Sequence, residues 1–237
     1  MPCAQHRYGL VSIALHWSIA VLIIAMYPLA WWMTRAINEP ETQANAFEAY
    51  QVHKSVGLTI LVLSVIRVVW RLLHRAPPRP QEMPRWERWG ARLSHVLLYV
   101  LIVGLPLSGW IYVSAGWNRA MGAAFAIPTL WFNQFEWPHI GFVASLSEAR
   151  RAVVADVSMN AHELLGWSGI LLVAVHVAAA LKHHLVDRDD VLAGMAPWVR
   201  PRHIPQARKE TGNDSFRLKS RVTSQRKSTR NLHVPHP

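Results

Sequence analysis

Four long apolar stretches dominate the chain and limit what it can fold into. They run from Leu10 to Met33, Val52 to Leu73, Leu93 to Val113 and Leu164 to Leu185. A helix needs about 20 such residues to cross about 30 Å of hydrocarbon, and each stretch reaches that length. We therefore predict an all-α membrane protein built as a bundle of four transmembrane helices. The first stretch exceeds the roughly 7–15 apolar residues of a signal-peptide core, so we expect it to remain as a helix.

Charged residues are distributed unevenly between these stretches. Six arginines fall between positions 71 and 92, whereas the first connecting segment holds three glutamates against one arginine. Positively charged loops tend to stay on the cytoplasmic side of a membrane. We therefore predict that both termini and the second loop are cytoplasmic. The other two loops, about Thr34 to Gln51 and Ser114 to Ala161, then face the opposite side.

The sequence changes character after about Asp187. Ten lysines and arginines lie between positions 200 and 230 among Ser, Thr, Asn and Pro, and they supply much of the net charge of +11. Such a composition buries little apolar surface. We predict a membrane domain over residues 1–186 and a basic, disordered cytoplasmic tail over residues 187–237. The tail has no recognisable nucleic-acid module, so we expect it to contact anionic membrane lipid and not nucleic acid.

Four of the 13 histidines lie in or at the edges of the apolar stretches, namely His16, His53, His162 and His176. Ionisable side chains are costly inside a bilayer and usually have a function there. His162 and His176 are 14 residues apart on the fourth helix, so they share one face about 21 Å apart along the axis. The predicted orientation pairs His53 with His162, at the starts of helices two and four, and His16 with His176.

Paired imidazoles at matched depths indicate haem iron ligation. The spacing of His162 and His176 is far longer than in compact zinc signatures, and Gly166 stands where a zinc protease has its second histidine. Cys3 is the only cysteine, which excludes a Cys-x-x-Cys-His haem attachment motif and an all-cysteine iron–sulfur site. The haem is therefore predicted to be b-type. Gly57 and Gly166, each one turn after a histidine, leave room for a porphyrin or for tight helix packing.

Five motifs in and beside the stretches are distinctive together, although each is short. They are Ala14-Leu15-His16-Trp17, His53-Lys54-Ser55-Val56-Gly57, Ser94-His95, Leu105-Pro106-Leu107-Ser108-Gly109, and His162-Glu163 followed by His176. Over approximately Arg7 to Pro197, the chain resembles the bacterial cytochrome b561 family of di-haem membrane proteins. The resemblance implies two haems b in the bacterial inner membrane. His16 and His176 match the ligands of the cytoplasmic-side iron, and His53 and His162 those of the outer iron.

The resemblance also implies transmembrane electron transfer, commonly with quinone on one side. One characterised activity of the family is superoxide oxidation with ubiquinone as acceptor, which would make the chain a superoxide:quinone oxidoreductase. Whether this chain is itself an enzyme stays open, because related haem subunits accept electrons from a partner such as a hydrogenase or a soluble cytochrome. The third alternative is a haem-free transporter or structural membrane protein, although the four stretches show no inverted repeats.

Four further polar residues have two or more interpretations each. His95 lies near the predicted depth of the cytoplasmic-side pair, where it could contact quinone or a haem propionate, replace a ligand, or be an ordinary bundle histidine. Arg67 could bind a propionate or extend its charge toward the headgroups. Lys54 and Arg119 lie toward the outer side, where they could guide an anion such as superoxide or contact lipid headgroups.

Overall fold

The computed structural model describes residues 7–74, 84–119, 121–125 and 128–200. Four long helices form the bundle: α1 at Leu10–Ala36, α2 at Gln43–Leu73, α3 at Arg85–Ala115 and α5 at Glu148–Lys182. The last continues through a π-helical turn at His183–Asp187. All four are long and apolar enough to cross a membrane, which confirms the predicted fold class. The orientation of the termini remains a prediction.

Two of the predicted helix starts were wrong in a way that matters for the histidines. Helix α2 begins at Gln43 and α5 at Glu148, so both start well before their apolar stretches. His53 and His162 therefore lie inside helices and not at their starts. The physical reason is that helical hydrogen bonding continues through more than two turns of mixed polar and apolar residues before each apolar stretch, which hydropathy alone does not detect.

Packing at the centre of the bundle joins α1, α2 and α3. One buried cluster consists of Ile19, Ile23, Ile60, Leu101 and Ile102. Helix α3 also packs along α5. The hydroxyl of Tyr27 in α1 donates a 3.0 Å hydrogen bond to the Gly166 carbonyl of α5. A Cβ at Gly169, less than one turn further along, would overlap the same hydroxyl, so this crossing depends on a glycine.

The connection between α3 and α5 contains short ordered elements. Helix α3 ends at Ala115 and is followed by Gly116, whose positive φ of 56° suits glycine. Four short strands follow, in two antiparallel hairpins: β1 at Trp117–Asn118 with β2 at Ala123–Ala124, and β3 at Thr129–Trp131 with β4 at Phe135–Trp137. The short helix α4 at Gly141–Ala144 precedes α5. This part of the chain therefore has defined structure within the predicted third loop.

The β3–β4 hairpin is fixed to α2 beside His53 by hydrogen bonds. The buried Ser55 hydroxyl accepts a 3.0 Å hydrogen bond from the Phe132 N–H and lies 3.0 Å from the Leu130 carbonyl. The indole of Trp131 donates to Thr59 across 3.2 Å. Since these bonds lie within two turns of His53, the hairpin covers the end of the bundle where this histidine lies.

The residues after the π-helical turn fold back onto α1. The short helix α6, Val191–Met195, provides the contact surface. The Trp17 indole donates to the Met195 carbonyl across 2.8 Å, and the Tyr8 N–H donates to the Gly194 carbonyl across 3.2 Å. The indoles of Trp17 and Trp198 also contact, with ring centroids 4.6 Å apart.

Ordered structure thus continues beyond residue 186, where we predicted the membrane domain to end. Packing of this segment against α1 supplies buried contacts that a composition analysis of an isolated tail does not reveal. The rest of the predicted tail, 201–237, lies outside the described residues, and its disorder remains a prediction.

Candidate functional site

The structure brings together both predicted histidine pairs. The ring centroids of His53 and His162 are 6.1 Å apart, with an angle of 67° between the ring planes. The centroids of His16 and His176 are 6.2 Å apart, again at 67°. Helix α5 contributes one histidine to each pair, so the pairs lie about 21 Å apart along its axis. We call them the His53–His162 pair and the His16–His176 pair.

The spacing within each pair suits a single iron between two imidazoles. A metal–imidazole bond is roughly 2 Å long and the ring centre lies roughly 1 Å beyond the bonded nitrogen, which puts the two ring centres roughly 6 Å apart. A Cβ at Gly166 would meet no described atom within 4 Å, and one at Gly57 would meet only the end of Met26 at 3.9 Å. Both glycines lie one turn from a histidine, so space for a flat group adjoins the His53–His162 pair.

Hydrogen bonds fix the His162 ring on α3. Its Nδ1 lies 2.9 Å from the Leu105 carbonyl and 3.1 Å from the Ser108 hydroxyl. Because a carbonyl only accepts, Nδ1 carries the proton and Nε2 keeps its lone pair. Metal-binding histidines commonly make this kind of second hydrogen bond. The lone pair on Nε2 of His162 is therefore available to a metal.

One ring nitrogen of His53 makes no hydrogen bond to the described part of the protein. Its Nδ1 is buried and has no hydrogen-bond partner among the described residues. Buried polar atoms in folded proteins nearly always have a partner. Together with the centroid spacing, this atom supports the fit of the His53–His162 pair to a bound metal group.

Two further predicted site residues, His95 and Arg67, lie at the His16–His176 pair. The centroid of the His95 ring is 5.7 Å from that of His176, and its Nδ1 lies 2.5 Å from the Ala91 carbonyl. A guanidinium nitrogen of Arg67 lies 3.3 Å from Nδ1 of His16. The structure therefore groups three imidazoles and one guanidinium at this end of the bundle.

Lys54 and Arg119, for which guidance of an anion and contact with lipid headgroups were both open, bond to other groups of the protein. Arg119 forms ion pairs with Asp156 at 3.0 Å and Glu163 at 3.6 Å. Lys54 donates to the Pro128 carbonyl across 3.1 Å. Two carboxylates beside one guanidinium leave no excess positive charge in this cluster, which weakens the case for steering of superoxide by Arg119.

Sequence reasoning missed two residues at the His53–His162 pair. Ser108 and Gly109 belong to a motif that carried the family resemblance, but neither received a role. A Cβ at Gly109 would lie 3.2 Å from Cε1 of His162. The sequence pattern that could have identified them is the pair of small residues shortly after Pro106 in an apolar stretch. That pattern alone does not show which helix packs against these residues.

Comparisons with known proteins identify the family of the chain. Residues 7–198 match the family model described as prokaryotic cytochrome b561. The chain is 33% identical over 190 residues to cytochrome b561 homolog 2 of Escherichia coli, covering 80% of this chain and 90% of the relative. It is 24% identical to cytochrome b561 homolog 1 of the same organism, covering 81% and 98%.

A third relative carries a name that describes an activity. The chain is 26% identical over 199 residues to the probable superoxide oxidase CybB of Yersinia pestis, covering 82% of this chain and 98% of the relative. The matched region contains all four paired histidines and all four membrane helices. This chain therefore belongs to the prokaryotic cytochrome b561 family, the multi-pass inner-membrane electron-transfer proteins of bacteria that use b-type haem.

Proposed function

We propose that this protein carries electrons across the inner membrane through two haems b. The His53–His162 pair would hold one iron and the His16–His176 pair the other. The observation that carries this proposal is the presence of two imidazole pairs with nearly equal centroid spacings, 6.1 and 6.2 Å, each with one histidine on α5. When bound, haem b supplies reversible one-electron chemistry at a potential set by its ligands and surroundings.

The protein's own part is to position ligands and exclude water. Helix α5 fixes His162 and His176 on one rigid element, so their separation does not depend on loops. The apolar core of Ile19, Ile60 and Leu101 packs between α1, α2 and α3. A rigid, apolar frame of this kind limits rearrangement of the site when its charge changes.

Quinone would react at the His16–His176 pair. The exposed His95 side chain lies next to His176 and can exchange a proton with a bound molecule. Reduction of one quinone to quinol consumes two electrons and two protons, so a titratable side chain beside the electron-transfer site has a chemical purpose. The neighbouring Arg67 would pair with a propionate carboxylate.

Superoxide is the electron donor that we propose on the His53–His162 side. Two superoxide anions give two electrons as they become dioxygen, which balances one quinone reduced. Support comes from the similarity to the probable superoxide oxidase of Yersinia pestis. The protein would then be a superoxide:quinone oxidoreductase.

The first experiment measures haem in the purified full chain after expression with sufficient haem supply. We expect two haems b per chain in the reduced-minus-oxidised spectrum, and one haem each in His162→Ala and His176→Ala. His74→Gln is the matched control, since His74 is exposed and stacks on Trp70 with ring centroids 3.7 Å apart. Absence of haem in the unaltered chain would overturn the proposal.

A second experiment tests the reaction. The dithionite-reduced protein should be reoxidised by ubiquinone without oxygen, and the oxidised protein with ubiquinone should consume superoxide catalytically. Reoxidation by quinone without superoxide consumption, together with co-purification of a redox enzyme, would favour a haem subunit that receives electrons from a partner protein.

A further inference from the structure

The side of the His162 ring rests on a short segment of α3. We propose that Leu105, Ser108 and Gly109 form a cradle that holds His162 in the tautomer and orientation needed to bind haem iron. This inference rests on the proposed function, in which His162 is a ligand at the His53–His162 pair. The three residues act through the histidine, so they are positioning residues.

The Leu105 carbonyl sets the tautomer. It lies 2.9 Å from Nδ1 of His162, and a carbonyl oxygen can only accept a hydrogen bond. A neutral imidazole has one N–H, so placing the proton on Nδ1 leaves the lone pair on Nε2. An iron ligand needs that lone pair. The backbone of α3 therefore selects the form of His162 that can bind.

Ser108 adds a second oxygen beside the same N–H. Its hydroxyl donates to the Leu105 carbonyl across 2.7 Å, and its oxygen lies 3.1 Å from Nδ1 of His162. The residue is buried, so water does not easily replace it. Acceptors next to Nδ1–H increase the basicity of the ring and strengthen its bond to a metal. Ser108 is thus placed to influence the potential of the iron as well as the ring orientation.

Gly109 provides the space in which the ring lies. A Cβ at this position would be 3.2 Å from Cε1 and 3.3 Å from Nδ1 of His162, which is closer than an ordinary van der Waals contact. The ring cannot retreat easily, because its hydrogen bonds to Leu105 and Ser108 would lengthen. Any larger residue should therefore displace the ligand.

Gly104 offers a matched comparison on the same helix. A Cβ there would lie 3.4 Å from Cδ1 of Leu165, which is the end of a flexible side chain in α5. Both glycines thus face α5, but only Gly109 faces a histidine ring. A general requirement for small residues between α3 and α5 would affect both positions, whereas a ligand cradle affects one.

The first test compares Gly109→Ala with Gly104→Ala in the purified full-length protein. We expect Gly109→Ala to lose one of the two haems, measured as the haem-to-protein ratio, while Gly104→Ala keeps both. Equal haem content and unchanged reduction potentials in the two variants would overturn the role of Gly109. A wild-type chain without haem would instead overturn the proposed function.

The second test compares Ser108→Ala with Ser158→Ala by potentiometric titration of the haem spectra. Ser158 is also buried, and its hydroxyl donates to carbonyls of its own helix, at 2.7 Å and 3.2 Å, and not to a histidine. We expect Ser108→Ala to raise one of the two potentials, because a less basic ligand stabilises ferric iron less, and to leave the other unchanged. No shift in Ser108→Ala, or an equal shift in Ser158→Ala, would refute the role of Ser108.

Discussion

The guanidinium of Arg67 in α2 donates to Nδ1 of His16 in α1 across 3.3 Å, and its other terminal nitrogen donates to the Ser12 carbonyl across 3.1 Å. Arginine has donors only, so His16 is the acceptor in this contact. If His16 binds iron through Nε2 as we propose, its ring proton would have to lie on Nδ1, where it would displace the Arg67 donor. The guanidinium would then be available to a carboxylate beside the proposed haem.

We predict that Arg67→Gln lowers the reduction potential of the haem at the His16–His176 pair. A positive charge near the iron disfavours the ferric state, because that state carries one more positive charge than the ferrous state. Removal of the Arg67 charge therefore favours oxidation of the iron. Arg67→Lys should preserve most of the potential. Potentiometric titration of the purified variants measures this effect, with the other haem as an internal reference.

Arg71 provides the control for that prediction. It lies one turn further along α2, and its guanidinium lies 5.9 Å from the ring of Tyr8. Arg71→Gln should leave both potentials unchanged. If Arg67→Gln also leaves them unchanged, then Arg67 only extends its charge toward the headgroups, as its position near a helix end allows.

A substitution of His95 separates the roles left open for that residue. We expect His95→Gln to retain two haems and to slow reoxidation by ubiquinone severalfold, because the proton exchange next to His176 is lost while the ligands remain. Stopped-flow absorbance after dithionite reduction measures the rate. Loss of one haem in this variant would instead identify His95 as an iron ligand in place of His16 or His176.

Much of the architecture was predictable because it depends on local patterns. Hydropathy indicates four membrane helices, and the helical repeat places His162 and His176 on one face. The cradle was not predictable, since the approach of Gly109 to His162 depends on how α3 and α5 pack. The Ser55 contacts with the β3–β4 hairpin were likewise hidden, because residues more than 70 positions apart leave no periodic signal.

The contact between Trp17 and α6 gives a prediction about stability. Trp17→Phe removes the donor to the Met195 carbonyl and keeps most of the aromatic surface. We expect a loss of roughly 1 kcal/mol, as for a typical hydrogen bond, and faster amide exchange in residues 191–195. Trp31→Phe is the control, because Trp31 is exposed and its ring lies near Trp167 and the guanidinium of Arg35, neither of which belongs to α6. Equal exchange in both variants would contradict a stabilising role for this contact.

Ser55→Ala should loosen the hairpin that covers the His53 end of the bundle. The substitution removes the acceptor for the Phe132 N–H and the hydroxyl beside the Leu130 carbonyl, at a site that is 1% exposed. Leaving buried groups without a partner costs about 1–3 kcal/mol.

We expect a lower thermal unfolding temperature and faster amide exchange in residues 129–137, measured by mass spectrometry. Ser145→Ala is the control, because the hydroxyl of this exposed serine donates to the Phe142 carbonyl of the adjoining short helix α4, at 3.0 Å, and not to the hairpin. The exchange in residues 129–137 is the decisive measurement, since it reports the hairpin directly. Unchanged exchange there in Ser55→Ala would mean that the other hydrogen bonds to α2, which involve Thr59, Gln51 and Lys54, hold the hairpin without help from Ser55.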